Sequence, residues 1–278
     1  MLLQSKKTLA LTLFIAAFIT ACSTSPTGRR QLLMHSPDEL NQMGARSFDE
    51  MKKQETISTD PAVNKFVQCV ADAITVNVDS SVHQGTWEVV VFDSDMVNAF
   101  ALPGGKIGVY TGILQVTDNA GQLAAIVGHE VGHVIAQHSN ERLSSDQISK
   151  IGLAVAGTGL ALSDVDNKAL IMAGMGIGVQ YGILMPYGRT HETEADIIGQ
   201  DLMAKSGFDP KESVALWRNM AKAGGGEPPE WLSTHPSNQT RIDNLSKHLQ
   251  TSEPMYASAS VRPQCPKPKI PTPKKSKQ

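Results

Sequence analysis

The chain has 278 residues, of which 25 are lysine or arginine and 27 are aspartate or glutamate, so its formal net charge is -2. A mildly acidic chain without a long basic face lacks the charge that binds phosphate backbones, which argues against a nucleic-acid partner. The length and the 41% of hydrophobic residues allow one domain of about two hundred residues with a sizeable core.

The first 21 residues have the features of a signal peptide for export. Lys6 and Lys7 precede an apolar stretch over residues 9–19, which is too short for a comfortable membrane span. The sequence Ile-Thr-Ala-Cys that ends at Cys22 resembles a bacterial lipobox, which implies cleavage before Cys22 and acylation of that residue. Ser23 resembles the residue that follows the cysteine in outer-membrane lipoproteins, so we expect the mature protein on the periplasmic face of that membrane. The alternatives are a cleaved signal with a soluble product and an uncleaved anchor.

The globular part is expected to begin at residue 37, after a lipidated polar tether over residues 22–36. A proline followed by two acidic residues is typical of a helix start there, and helical patterns continue to Ile74. A single domain is predicted over residues 37–252. The Pro- and Lys-rich tail over residues 253–278 is expected to be extended or disordered.

Cys69 and Cys265 are the two thiols that remain after lipidation of Cys22. In an oxidising periplasm we expect a disulfide between them, which would tie the C-terminal segment to an early helix. The alternative is a pair of free cysteines, one of them buried as a small hydrophobic residue.

Strand patterns occupy the middle of the chain. Residues 87–92 predict a strand, and residues 96–102 and 106–111, separated by Pro-Gly-Gly, predict a hairpin that leads into the next helix. One edge of this sheet would therefore lie beside that helix. An extended peptide added to such an edge binds through main-chain hydrogen bonds, which tolerates many side chains.

The helix after the hairpin carries residues with metal chemistry. His129 and His133 are four residues apart and share one helical face, and Glu130 lies beside them to take a proton from a water molecule. The apolar periodicity of residues 123–135 and a Thr-Asp pair at 117–118, which offers an N-cap, predict the helix. This pattern is typical of a zinc-peptidase active site.

The segment beyond this helix is less specific. His138 lies nearly opposite His129 on the helical wheel, which predicts a surface histidine. Residues 151–185 are rich in Gly, Ala and Met and strongly apolar, but are interrupted by charges. We predict a pair of short packed helices there, with a mobile lid over the site as the alternative.

A catalytic zinc ion normally has three protein ligands, so a third must come from elsewhere. The extended pattern with a third histidine six residues beyond His133 is absent. Glu192 and Asp196 share a face of a later helix, which makes Glu192 the candidate third ligand. Asp196 would then hydrogen-bond the far nitrogen of a ligating histidine. Glu194 and His191 are the alternative ligands.

Three blocks and a short motif, in this order, carry a family resemblance. They are residues 98–105 (Asn-Ala-Phe-Ala-Leu-Pro-Gly-Gly), residues 129–133, residues 192–196 (Glu-Thr-Glu-Ala-Asp) and the Thr-His-Pro motif around His235. In these blocks the chain resembles the zinc metallopeptidase family that includes the HtpX heat-shock proteases and the CAAX prenyl proteases.

The resemblance implies an α+β fold, in which a mostly helical gluzincin-type domain has a small antiparallel sheet beside the zinc helix. It also implies that Glu192 is a zinc ligand and that His235 lies near the site, where it steadies an oxyanion or serves as a removable fourth ligand. Asn98 and Ala99 would contact substrate. Gly188 stands where the family commonly has serine, a departure that touches no proposed ligand.

The resulting hypothesis is a zinc-dependent endopeptidase with one Zn²⁺ per chain. Glu130 would activate the water, and His235, helped by Arg189, would stabilise the charge that develops on oxygen. Unfolded or misfolded envelope polypeptides are the expected substrates, and the lipid anchor on Cys22 is the expected membrane contact. The alternative is a periplasmic chaperone or outer-membrane assembly factor with latent proteolysis. A structural zinc domain fits poorly, because such sites more often have four ligands and use cysteine.

Overall fold

The computed structural model describes residues 22–162, 167, 171–172, 175, 185–223, 235 and 239–270. In these residues the strands are β1 (Cys22–Thr24), β2 (Arg30–Leu32), β3 (Glu88–Phe92), β4 (Ala99–Leu102) and β5 (Lys106–Tyr110). The helices are α1 (Pro37–Gln54), α2 (Pro61–Thr75), α3 (Thr111–Val116), α4 (Ala120–Ile135), α5 (His138–Ala161), α6 (Met185–Lys205), α7 (Lys211–Ala223) and α8 (Gln239–Ser258). The predicted α+β class is confirmed.

The chain divides into two compact units. The larger unit comprises Pro37–Ala136 and His191–Gln278, and the smaller unit comprises Met1–Ser36 and Gln137–Thr190. Each unit has its own internal contacts.

A three-stranded sheet in the order β3-β5-β4 is the centre of the larger unit. Strands β4 and β5 form the predicted antiparallel hairpin, whereas β3 runs parallel to β5. The connecting glycines Gly104 and Gly105 have φ angles of 84° and 69°, in the left-handed region that glycine adopts without strain. Strand β4 begins at Ala99, three residues later than predicted. Before the strand, the Ser94 backbone hydrogen-bonds the Thr111 hydroxyl.

Helices cover both faces of this sheet. Alternate strand residues, including Val91, Ala99 and Ile107, point into a large core shared with α2 and α4. The residues between them form a smaller aromatic core with Phe48 of α1, and its strand members are Phe92 and Tyr110, with Phe100 packed against them. Successive side chains of these strands point to opposite faces of the sheet, and both faces are covered. Apolar residues therefore occur at consecutive positions, without the polar alternation of a strand that has one face in solvent.

The smaller unit pairs β1 and β2 as an antiparallel hairpin against the first turns of α5. The Glu141 carboxylate is fully buried and accepts two hydrogen bonds from the Arg29 guanidinium, both 2.6 Å long, and one from Gln31 at 3.0 Å. Asn140 and Ser144 of α5 bind the backbone of residues 34–35. The segment predicted as a tether is therefore folded from Cys22 onward. The buried Glu141 carboxylate needs a paired cation, and Arg29 of this segment supplies it.

The prediction that His138 lies on the surface is wrong. It is 2% exposed and opens α5, whereas the metal helix α4 ends at Ile135. A helical wheel places residues correctly only within one helix, and the left-handed backbone of Gln137, with a φ angle of 54°, separates the two. Helix α5 is continuous to Ala161; most of residues 163–184 lie outside the described residues, so the helix pair and the lid stay predictions.

The C-terminal segment lies on the larger unit. Helix α8 runs to Ser258, past the predicted domain end at residue 252, and residues 259–270 follow without helix or strand. A disulfide joins Cys265 to Cys69 of α2, the pair expected from the sequence, with a Cα–Cα distance of 5.7 Å. The Lys267 amine donates a hydrogen bond to the Thr117 carbonyl just before α4. Among the residues that the structure describes, no helix combines the length and apolar character needed to cross a bilayer.

Candidate metal centre

Helix α4 places its two histidines and Glu130 inside the larger unit. The helix is capped by Asn119, whose side chain accepts a hydrogen bond from the Gln122 backbone, one residue later than the predicted Thr-Asp cap. Almost all of the helix is buried, including His129 and Glu130 at 3% and 5% exposure. A histidine and a carboxylate so deep in an apolar helix require partners.

Helix α6 crosses α4 at very close range and supplies those partners. A Cβ atom at Gly199 would lie 2.7 Å from the His129 backbone nitrogen, and one at Gly128 would lie 2.8 Å from the Gly199 carbonyl oxygen. Only glycines permit this approach, because a side chain at either position would overlap the facing backbone. The crossing brings Glu192 and Asp196 against the histidine face of α4.

Four side chains converge on one point. A ligand atom from each of His129, His133, Glu192 and His235 lies within 4.8 Å of the other three. His129 Nε2 is 3.1 Å from His133 Nε2, 3.2 Å from His235 Nδ1 and 3.3 Å from Glu192 Oε2. Glu192 Oε2 is 2.9 Å from His235 Nδ1, and Glu192 Oε1 is 3.5 Å from His133 Nε2.

These residues fit a zinc ion. With bonds of 2.0–2.1 Å, tetrahedral geometry separates neighbouring ligand atoms by about 3.3 Å, close to the distances found here. His129 Nδ1 lies 3.0 Å from Asp196 Oδ1. Because the carboxylate can only accept, Nδ1 carries a proton, and in the neutral form of the ring the Nε2 lone pair faces the cluster. The donor set of nitrogen and carboxylate oxygen is the one that zinc prefers.

The electrostatics of the centre also favour a cation. Burial disfavours the charged form of His129, but its hydrogen bonds with Asp196 and Glu192 and their charges outweigh burial and raise its pKa to about 9. Burial likewise opposes the charge on Glu192, yet His129 and His235 hold the pKa of that carboxyl well below its usual range. The pocket therefore stabilises positive charge between the histidine nitrogens and the Glu192 carboxylate. A divalent cation bound there would replace the proton that His129 otherwise takes up.

Arg241 is a site residue that sequence reasoning missed. The residue is 3% exposed, and its guanidinium binds Asp196 through two hydrogen bonds of 2.7 Å and lies 3.1 Å from Glu192 Oε2. The sequence does contain one signal. An arginine in the first turn of a helix opposes the helix dipole, so it calls for a carboxylate partner.

The other predicted site residues lie in different places. The His235 ring is next to Glu130, with 3.5 Å between Nε2 and Oε1. Arg189 is exposed on α6 and belongs to the smaller unit, so its proposed contact with the reacting oxygen stays a prediction. Glu194 and His191, the alternative ligands, are buried but are not members of the metal-ligand cluster found among the described residues.

The substrate candidates lie at the sheet. Asn98 precedes β4, where its side chain accepts a hydrogen bond from the Ala99 backbone nitrogen at 2.9 Å, and its carbonyl accepts one from Tyr110. The Ala99 side chain is buried and its N–H donates to Asn98, so this residue has its carbonyl to offer a ligand. Strand β4 packs against α4, which puts the sheet edge beside the metal helix as the sequence predicts.

Comparison with known proteins identifies related sequences. The model of peptidase family M48 matches residues 61–249. The mitochondrial metalloendopeptidase OMA1 of Bos taurus is 33% identical over 247 residues, which cover 84% of this chain and 47% of that protein. OMA1 of Schizosaccharomyces pombe is 36% identical over 169 residues, which cover 60% of this chain and 48% of that protein. The beta-barrel assembly-enhancing protease of Escherichia coli is 25% identical over 271 residues, which cover 92% of this chain and 55% of that protein. The chain thus spans about half the length of the curated relatives it matches.

Proposed function

Because the chain belongs to peptidase family M48, we propose that it is a zinc-dependent endopeptidase of the bacterial periplasm, anchored to the outer membrane as a lipoprotein. The observation that carries this proposal is the convergence of His129, His133 and Glu192 with Glu130 beside them. Two imidazoles, one carboxylate ligand and a second carboxylate next to them are the parts that a hydrolytic zinc site needs.

Each residue has a defined task in this proposal. His129, His133 and Glu192 hold one zinc ion, and Asp196 keeps the His129 ring in the orientation and tautomer that ligation requires. When bound, zinc supplies a Lewis acid that acidifies water and polarises the scissile carbonyl. Glu130 accepts the proton of the attacking water and passes it to the leaving amine.

The edge of β4 is the proposed substrate-binding surface. The Asn98 carbonyl accepts from the Tyr110 backbone, so the backbone groups of residues 98, 100 and 102 point toward β5. Those of Ala99 and Ala101 point to the other side, where the described residues add no further strand. An extended polypeptide adding there would lie beside the metal helix and be bound through its backbone, which suits unfolded envelope proteins of varied sequence.

Proteolysis is tested with Glu130→Gln, which keeps the shape of the side chain but removes the base. The purified full chain and this variant are incubated with unfolded casein, with and without a zinc chelator. We expect cleavage to fall by about 10²–10⁴-fold in the variant and to stop in the chelator. Zinc content, measured by mass spectrometry, should be unchanged in the variant.

Glu50→Gln is the matched control for that experiment, since Glu50 is exposed on α1 and pairs only with the surface residue Lys53 in the contacts described. It should cleave casein like the wild type. Casein cleavage retained in Glu130→Gln, or unaffected by the chelator, would contradict the proposal.

The lipid anchor is tested with Cys22→Ser in cells. Cys22 is the only residue of the lipobox that can be acylated, so the variant should move from the membrane fraction to the soluble fraction of the envelope. Ser23→Thr, which leaves the cysteine, should stay with the membrane. A Cys22→Ser protein that remains membrane-bound would exclude anchoring through this residue.

A second proposal is an outer-membrane assembly factor whose proteolysis is latent. It is supported by the name of the Escherichia coli relative, a beta-barrel assembly-enhancing protease, and by the third imidazole within the ligand cluster. A strain that lacks the protein is complemented with the Glu130→Gln variant. Restored resistance of the outer membrane to detergent would favour assembly over cleavage.

A further inference from the structure

The guanidinium of Arg241 contacts both carboxylates of the metal centre at once. Its Nε and Nη2 donate to the two oxygens of Asp196, each at 2.7 Å, and its Nη1 lies 3.1 Å from Glu192 Oε2. Asp196 in turn lies 3.0 Å from His129 Nδ1. One side chain from α8 therefore touches a proposed ligand and the residue that orients a second ligand.

The guanidinium of Arg241 also stacks on an aromatic ring. Arg241 Cζ lies 3.8 Å from the centre of the Trp217 ring on α7, and that ring also meets the His129 ring edge-on at 6.4 Å. Trp217 is 3% exposed, so neither group can swing into solvent. Stacking on an aromatic face fixes the fork of an arginine in a way that a lysine amine cannot reproduce.

The charges of the centre explain why an arginine is needed. Three buried carboxylates, Glu130, Glu192 and Asp196, lie around the imidazoles, which are neutral when they ligate a metal. One guanidinium and one divalent cation balance their charge. Two hydrogen bonds of 2.7 Å place the positive charge of Arg241 directly on the Asp196 carboxylate, which is the partner of His129.

We infer that Arg241 is a positioning residue of the metal centre. It fixes Asp196 against His129 and orients Glu192, so that the two proposed ligands His129 and Glu192 keep a fixed orientation toward the metal position. A guanidinium has no lone pair to offer a metal, so Arg241 acts through these two carboxylates. This inference rests on the proposed zinc site and assigns a residue from α8, outside the two helices that carry the metal motifs.

The test compares Arg241→Lys, which keeps the charge but loses the fork, with Arg241→Met, which loses both. Arg218→Met is the control, because Arg218 is an exposed arginine of α7. Zinc affinity of the full chain is measured by competition with a chelating dye, and the geometry of the ligands by the visible absorption of the Co²⁺-loaded protein. Thermal unfolding of the metal-free proteins reports the fold separately.

We expect Arg241→Lys to unfold near the wild-type temperature, to bind zinc about 10- to 100-fold more weakly and to give an altered cobalt spectrum. Arg241→Met should be weaker still, and Arg218→Met should equal the wild type. Wild-type affinity and spectrum in Arg241→Lys would overturn the inference, since charge alone would then suffice. A wild-type chain that does not bind zinc would instead contradict the proposed function.

Discussion

His235 brings a third imidazole to the two supplied by α4. Its Nδ1 is 2.9 Å from Glu192 Oε2 and 3.2 Å from His129 Nε2, which are distances between ligands of one ion. Four protein ligands close a zinc site, whereas hydrolysis needs an open position for water. The position of His235 therefore favours the removable fourth ligand over the oxyanion role, the two roles that the family resemblance leaves open.

We predict that His235→Ala cleaves casein severalfold faster than the wild type and binds zinc more weakly, because a ligand is lost and the water position is opened. Initial rates and zinc competition measure the two effects. His248→Ala is the control, since this histidine of α8 pairs with Asp201 and is not among the cluster residues. A slower His235→Ala enzyme with unchanged zinc affinity would support the oxyanion role instead.

At this scale the sequence predicts what lies within one helical turn. The spacing of His129, Glu130 and His133 on α4, and of Glu192 and Asp196 on α6, depends only on the helical period, and each pair is found on one face. Arg241 was missed because its partners are 45 and 49 positions away in α6, and no local pattern links an arginine to a carboxylate at that distance.

The crossing of α4 and α6 is the element-level feature on which the centre depends. Backbone-to-backbone contact at Gly128 and Gly199 sets how far Glu192 and Asp196 stand from the histidines. The hairpin is a second such feature, since β4 packs on α4 through the small side chains of Ala99 and Ala101. Small residues along two helices and a strand thus position the proposed ligands, although none of these small residues is itself a proposed ligand.

We predict that Gly199→Ala destabilises the protein by about 1–3 kcal/mol and weakens zinc binding, because the new methyl group forces the two helices apart. Gly188→Ala is the same substitution in the same helix, at a position where a Cβ atom meets nothing within 4 Å. It should stabilise the helix by about 0.5–1 kcal/mol and leave zinc binding unchanged. Urea denaturation and zinc competition of both variants provide the comparison. Equal effects of the two substitutions would show that the crossing is not tightly packed.

Element boundaries were harder to predict than element types. The hairpin and the metal helix were predicted with small shifts at their ends, because alternation and helical period are local signals. The break between α4 and α5 was not predicted. The backbone is left-handed at Gln137, and a glutamine, unlike a glycine, does not indicate such a conformation in the sequence. His138 was consequently placed on the surface. The hairpin of β1 and β2, which lies within the predicted tether, was also not predicted. Arginine is usually a surface residue, and nothing near Arg29 in the sequence indicates its ion pair with the buried Glu141.

The disulfide between Cys69 and Cys265 joins positions 196 residues apart in the chain. It holds residues 259–270 on the larger unit, where Lys267 reaches the Thr117 carbonyl before the metal helix. A crosslink of this span removes a large part of the conformational freedom of the unfolded chain, which raises the stability of the folded state.

We predict that Cys69→Ala combined with Cys265→Ala lowers the free energy of unfolding by about 2–4 kcal/mol. Thermal unfolding of the full chain, oxidised and reduced, measures the loss. The reduced wild type should resemble the double variant, and Cys22→Ser should match the oxidised wild type because it leaves the crosslink in place. A double variant as stable as the oxidised wild type would mean that the crosslink adds nothing to the folded state.

The sequence alone was sufficient for the α+β class, the family, the metal motif on α4 and the acidic pair on α6, because each of these depends on spacing within one element or on short motifs. Tertiary structure decided that Glu192 rather than Glu194 or His191 joins the histidine cluster, that His235 enters it, and that Arg241 supports it from α8. Those outcomes depend on the angle and distance at which helices cross. Both the angle and the distance are set by backbone contacts at a few glycines and by the turns between elements. Neither produces a repeating pattern in the sequence from which it could be predicted.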